Sequence, residues 1–407
     1  MNLLFAWRYF KAKKSTNAIN IIAWVSALAI VVITASFIIV LSVFNGFEGL
    51  VKSLYSTFYT DIRISPAKGK FMQVTARQLE QLKANNEIKD YSLTVEEKTL
   101  IRNGENQIPL YLKGVDENYS NVSDVSKKLI RGSFELGTAE APSVVLGSGI
   151  ENGLAIESDR SLYPVTAYMF KRGVNINVVD PTQVMSAENM NPTGSFFIQQ
   201  DLDNKYAITN IDFMRRMLGM KENETGNIEI ALKNPGDGTS VKNSLSKIFG
   251  PTYLIESRYE QNKSLYSVMN LEKWAIYGIL TLMLIVAAFT MIGALTMLVL
   301  EKQKDIQVLK AMGATNKRIQ GIFFQEGLLL AGIGAFTGFI LAVIICWAQV
   351  KYKLVPIEGG TFLIDYYPVT LKAGDFILVL ITVFLVAGIA AWYPSRKAAA
   401  QPIELKS

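Results

Sequence analysis

Histidine is absent from this 407-residue chain, and cysteine occurs once. The first absence removes the commonest metal ligand, the usual general base at neutral pH and the usual proton shuttle. The second removes any intramolecular disulfide and any multi-cysteine metal site. The one thiol, Cys346, lies inside an apolar run and reads as a packing residue. There is no G-x-x-x-x-G-K-[ST] phosphate loop, so the chain carries no such device for hydrolysing nucleotide. No acid pair, Ser/Lys dyad or metal constellation stands out either. These absences point to a binding and transmitting protein rather than an enzyme, with no cofactor of its own.

What the chain does have is long apolar runs. Half of its residues are hydrophobic, and they are blocked rather than spread. One run covers Ile19 to Phe44. A second begins at Trp274, and two more follow at about Gly327 to Val350 and Phe376 to Trp392. A helix needs roughly 17–25 apolar residues to cross a ~30 Å hydrocarbon core, and all four runs qualify. The first is too long for a cleavable signal sequence and reads as an uncleaved anchor. Between the first and second runs lies a polar segment of domain size. The fold class is therefore an α-helical membrane protein with four transmembrane helices, plus a large extracytoplasmic α+β domain between helices 1 and 2.

Charge within the runs is scarce too. The first, second and fourth carry no ionisable residue between their ends, and Glu326 borders the third as an interfacial or helix-start carboxylate. Ion-coupled transporters usually keep such groups inside their spans. Any work this chain does draws its energy from a partner.

The formal charge of +6 comes from flanks, not from a nucleic-acid surface. Arg8, Lys11, Lys13 and Lys14 precede the first run; Lys302, Lys304, Lys310, Lys317 and Arg318 lie between the second and third; Arg396, Lys397 and Lys406 follow the fourth. All three groups fall on one side of a four-span topology, which the positive-inside rule makes cytoplasmic. The resulting division is an interfacial helix at 1–18, transmembrane helices at 19–46, 271–300, 323–350 and 375–394, and a periplasmic domain at 47–270. A cytoplasmic loop at 301–322, a periplasmic loop at 351–374 and a cytoplasmic tail at 395–407 complete it. The location is a membrane, with the large domain on the side away from the cytoplasm.

In the external domain, strands are predicted at 60–65, 88–95, 227–232 and 252–255, with helices at 75–82 and 240–249. These two β-α-β units sit at both ends of the domain and could pack as one α+β body, or stand independently. The middle reads as β-rich, with strands at 108–115, 143–146, 164–170 and 195–198. Lys171 to Thr193, rich in Asn, Pro and Gly, reads as one long irregular segment. Phe47 to Tyr55 and Tyr259 to Lys273 continue the first two spans outward as helical stalks.

The 301–326 segment is amphipathic. Ile306, Leu309 and Met312–Gly313 share one helical face and charges occupy the rest. Gly313 suits a helix end, and Thr315 or Asn316 suits the cap of the next helix. Such a helix can seat in a partner's groove or lie on the membrane surface.

Three stretches carry a resemblance. Glu301-Lys302, Asp305-Ile306 and Val308-Leu309-Lys310-Ala311-Met312-Gly313-Ala314 resemble the coupling-helix motif of the FtsX/MacB-like ABC-transporter permeases. Leu41-Ser42-Val43-Phe44-Asn45-Gly46-Phe47 resembles the end of the first span in the lipoprotein-releasing permeases of that family. Tyr393-Pro394-Ser395-Arg396-Lys397-Ala398-Ala399 with Gln401-Pro402-Ile403-Glu404 resembles their ending. The resemblance implies a non-catalytic permease driven by a separate ATPase dimer, which supplies the ATP and Mg chemistry. Glu301, Asp305, Ile306, Leu309, Met312 and Gly313 would couple to it. It also implies a second permease protomer, identical or paralogous, a lipoprotein cargo and a periplasmic carrier. Acyl chains are expected against Ile38, Leu41, Val43, Phe44, Phe47, Met269, Tyr277 and Leu280, with Asn45-Gly46 as a polar, flexible point for the lipid head or a simple bend. An efflux permease for peptides or macrolides, and a regulator of a periplasmic effector, are the alternatives within the superfamily.

Overall fold

A computed structural model of the chain describes residues 17–161, 163–171, 185–357, 364 and 366–401, with side chains described from Trp24 onward. The expected interfacial helix at 1–18, apart from its last two residues, lies outside the described residues, as do 402–407 of the tail. Helices of eight or more residues are numbered together with all named strands. The order begins α1 Asn17–Phe58, β1 Ile62–Pro66, β2 Met72–Gln73, α2 Ala76–Lys83, β3 Ile88–Asn103, β4 Asn106–Val115 and β5 Leu129–Gly132. It continues β6 Ser143–Gly147, β7 Val165–Phe170, β8 Met185–Phe196, β9 Tyr206–Asn210, α3 Ile211–Leu218, β10 Glu224–Thr225 and β11 Asn227–Leu232. It closes with α4 Gly238–Phe249, β12 Tyr253–Ser257, α5 Lys263–Glu301, α6 Gln303–Ala311, α7 Asn316–Tyr352 and α8 Ala373–Ala399. The chain divides into two compact units, with boundaries near Leu50 and Tyr266.

The helical unit takes α1 up to Leu50, α5 from Ser267, and α6 to α8. Helices α1, α5, α7 and α8 are each long and apolar enough to cross a membrane. Their interior gathers Phe37 and Ile38 of α1, Met291 of α5, Phe323 and Ala331 of α7, and Val383 of α8. Large apolar side chains also point outward: Trp24, Leu282, Val286, Phe289, Phe336 and Ile389 are all more than 60% exposed. That pattern is costly in water and ordinary in lipid. Glu326, expected at the border of the third span, is 1% exposed within α7. The fourth helix does not stop at Pro394 but runs on to Ala399. Proline removes one backbone donor, and its neighbours Ala391, Ser395 and Ala398 are buried in the unit, so packing holds the helix through it.

The other unit is α/β. Both terminal β-α-β units come together: β12, β1, β11 and β3 are consecutive neighbours in one sheet, covered by Leu82 of α2 and Val241, Leu245 and Phe249 of α4. Helix α2 is started by a capping box, in which Thr75 Oγ1 accepts from Gln78 N and Thr75 N donates to Gln78 Oε1. The middle is the same sheet continued. Strands β3, β4, β9, β6, β8 and β7 pair in turn, and β7 pairs back to β3, so six strands close on themselves. Closure removes free edges. Ile101, Leu112, Leu146, Ala167, Met190 and Phe213 of α3 share the core that results.

Lys171–Thr193 is not irregular throughout. Residues 172–184 lie outside the described ones, but β8 begins at Met185, and Met190 is 1% exposed in the core. Asn189, Asn191, Pro192 and Gly194 hid this strand, because their intrinsic β-propensity is poor. Pairing with β7 and then β6 overrides it, and the register shifts between Val144 and Val145, opposite Pro192 and Gly194, as a bulge allows.

Candidate functional site

Helix α6 lies between two apolar helices, and its length is set by its end. Gly313 has φ +88, Gly313 N donates to Lys310 O at 2.9 Å, and Ala314 N donates to Leu309 O at 2.9 Å. That is a Schellman stop, which needs a residue free of a Cβ penalty at the left-handed position. Thr315 then opens α7, as the sequence suggested.

The six residues assigned to ATPase coupling do not share one surface. Ile306 is 1% exposed and belongs to the interior of the helical unit, and Leu309 is half-buried. Met312 is 79% exposed, and Val308, four residues earlier and part of the motif but not of the assigned set, is 59% exposed. Residues four apart stand on one helix face, so Val308 and Met312 form the outward apolar pair. The amphipathic face read from the sequence is thus split: Ile306 holds the helix down, while Val308 and Met312 are presented. Asp305 pairs with Lys302 at 3.4 Å, and Glu301 is the half-buried last residue of α5. Lys310 Nζ donates to the carbonyl oxygens of Ala399 at 2.9 Å and Gln401 at 2.5 Å, at the C-terminal end of α8.

The residues assigned to acyl chains also divide. Ile38, Leu41 and Leu280 are at most 7% exposed and form part of the unit's own interior. Val43, Phe44, Phe47, Met269 and Tyr277 keep partial exposure. Tyr277 meets Phe37 edge-to-face at 5.6 Å and hydrogen-bonds Thr382 of α8.

Asn45-Gly46 is a packed point and not an open polar one. Both residues lie inside α1, which continues past them to Phe58. Gly46 is required by contact: a Cβ there would sit 2.1 Å from Pro368 O. Asn45 is 1% exposed. Its Nδ2 donates to Asp375 Oδ2 at 2.5 Å, and its Oδ1 accepts from Lys273 Nζ at 3.2 Å. Lys273 also lies 3.8 Å from Asp375 Oδ1. The sequence reading placed Lys273 at the end of a stalk and Asp375 at the start of the fourth span, and gave neither a role. A carboxylate in the first turn of an apolar run, like Glu326 near the start of another, was the available signal.

Among the described residues no group of three or more His, Cys, Asp or Glu could hold a metal ion. The arrangement presents an apolar contact pair on one short helix and a polar tie among three long ones.

Residues 23–248 match the MacB-like periplasmic core domain family, and residues 277–403 match the FtsX-like permease C-terminal family. The first match covers over half of the chain, and the protein belongs to the MacB-like periplasmic core domain family. Relatives are similar from end to end. The lipoprotein-releasing system transmembrane protein LolE of Haemophilus influenzae is 25% identical over 418 aligned positions, covering 99% of this chain and 98% of that one. LolC of Xylella fastidiosa is 22% identical over 421 positions, with the same coverage. The solved periplasmic region of MacB from Actinobacillus actinomycetemcomitans aligns with 54% of this chain and 98% of its own at a TM-score of 0.36 and 13% identity, a distant likeness.

Proposed function

We propose that this protein is a permease subunit of an ABC transporter that extracts lipoproteins from the outer leaflet of the inner membrane and hands them to a periplasmic carrier. The end-to-end match with lipoprotein-releasing permeases, over 99% of this chain and 98% of each relative, carries the reading. The basic flanks put both termini and α6 in the cytoplasm and the α/β unit in the periplasm. A separate ATPase pair then docks on α6 through Val308 and Met312, supplying the ATP and Mg chemistry this chain lacks. A second permease protomer completes the complex.

Physical chemistry explains why a partner must drive the step. Each buried CH₂ of an acyl chain is worth about 0.8 kcal/mol, so exposing two or three chains to water costs tens of kcal/mol. The cargo must slide from lipid to an apolar protein surface and on to another apolar pocket. Val43, Phe44, Phe47, Met269 and Tyr277 are the members of the expected set with surface to offer. Ile38, Leu41 and Leu280 shape that surface from beneath.

Mass spectrometry of what copurifies from native membranes tests the reading. A triacylated protein supports it. Phospholipid alone, or an unlipidated peptide with an adaptor, makes the efflux reading correct instead, and a wall hydrolase makes the regulator reading correct. A photo-crosslinker at Phe44 should capture lipidated protein before ATP is added and lose it after hydrolysis in the presence of carrier.

A further inference from the structure

Helix α8 is gripped at both ends by charged or polar side chains from other elements. At one end Lys310 of α6 holds the carbonyls of Ala399 and Gln401. A cation there meets the orphan carbonyls and the negative end of the helix dipole. At the other end Asp375, in the first turn of α8 and 7% exposed, accepts from Asn45 of α1 and faces Lys273 of α5. Asn45 also donates to Thr370 O at 3.4 Å, and Thr370 N donates to Ser42 O at 2.9 Å. Beside the ring, Lys372 pairs with Glu48 at 3.1 Å. The three side chains form a closed circuit: Lys273 to Asn45, Asn45 to Asp375, Asp375 to Lys273. In a low-dielectric setting such a circuit is rigid while complete, and removing either charged member leaves the other charge stranded. The two grips sit near the ends of a 27-residue helix, about 40 Å of rod.

We propose that α8 is a strut that carries displacement of α6 to the far end of the α1–α5 seam, and that Asp375 is the positioning residue that holds this seam shut through Asn45 and Lys273. The proposal rests on the reading above for the source of the push, but not on the identity of the cargo. The Val308/Met312 face receives the partner, Lys310 on the same helix pulls on α8, and Asp375 delivers the movement to the two helices whose outer surfaces carry the proposed acyl contacts. The carboxylate matters for its charge: Asp375→Asn keeps the shape and an acceptor for Asn45, but leaves Lys273 without its counter-ion.

The test uses the full chain with its ATPase partner in lipid nanodiscs. Cys346 is replaced by Ser, and spin labels are placed at Gly49→Cys and Leu271→Cys, two exposed positions on α1 and α5. The inter-label distance should change between nucleotide-free and ATP-trapped states. Asp375→Asn should abolish that change while ATP hydrolysis continues, and Lys310→Met should abolish it as well. The paired exchange Lys273→Asp with Asp375→Lys should restore it, which a merely damaged fold would not allow. A wild-type-sized change in Asp375→Asn, or no change in the parent protein, overturns the strut. A parent protein that responds, loses the response in Asp375→Asn and yet releases no lipoprotein keeps the strut and removes the lipoprotein reading. If both stand, Asp375→Asn should lower lipoprotein release by about tenfold or more per ATP hydrolysed.

Discussion

Lys113 Nζ lies 2.7 Å from Glu229 Oε1 in the interior of the α/β unit, with the two side chains 3% and 7% exposed. The ammonium also sits 4.7 Å from the centre of the Phe58 ring and 4.8 Å from that of Tyr119. Burial works against the charge, yet Glu229 and Tyr119 hold this lysine above its ordinary pKa. Removing one partner from such a pair leaves an uncompensated charge, so Lys113→Met alone should cost about 3–5 kcal/mol. The double change Lys113→Met with Glu229→Leu should recover most of that loss. Denaturant unfolding of the two variants checks it, and equal destabilisation by both would refute it.

Asp203 gives the α/β unit a pH dependence of definite sign. The residue is 1% exposed, its Oδ1 accepts from Ile198 N at 2.9 Å, and burial raises its pKa to about 7. The folded chain therefore keeps this proton up to about pH 7, whereas the unfolded chain releases it near the ordinary value of 3.8. Across that window the folded state binds more protons, so stability falls as pH rises, by at most about 4 kcal/mol. Asp203→Asn should be less sensitive between pH 5 and pH 8 in thermal unfolding. An unchanged pH slope would rule the effect out.

Coupling should follow the exposed pair and not the buried residue. Val308→Asp and Met312→Asp should weaken ATPase-subunit binding by at least about tenfold, or roughly 1.4 kcal/mol, while the chain stays folded. Ile306→Asp should instead reduce the yield of folded protein, because that side chain is in the helical core. Pull-down from detergent extracts, with size-exclusion profiles, separates the outcomes. Full binding by Met312→Asp would remove the docking assignment.

Two glycines one turn apart make an internal control. Gly46→Ala drives a methyl into Pro368 O and should destabilise by about 1–3 kcal/mol. Gly49→Ala meets nothing within 4 Å and should be neutral or stabilising by up to about 1 kcal/mol. Equal melting temperatures for the two would contradict the packing at Gly46.

The amino-acid sequence by itself determined the four apolar helices, because a span is a property of composition over some twenty consecutive residues. It determined the stop at Gly313 and the helix that starts at Thr75, because both depend on neighbours in the chain. It placed β11 at Asn227–Leu232, where a short apolar run is bounded by turn residues. Tertiary structure decided what the chain pattern does not encode. Strand β8 exists despite Asn, Pro and Gly because three neighbouring strands, β5, β6 and β7, satisfy its backbone. Ile306 and Met312 share a sequence pattern, but which one is buried depends on where the other helices pass. Asn45 looked like a flexible exit and is a fixed tie, because its partners lie 228 and 330 positions away. Local energies are written in adjacent residues; contacts across hundreds of positions arise only when the helices that carry them have packed.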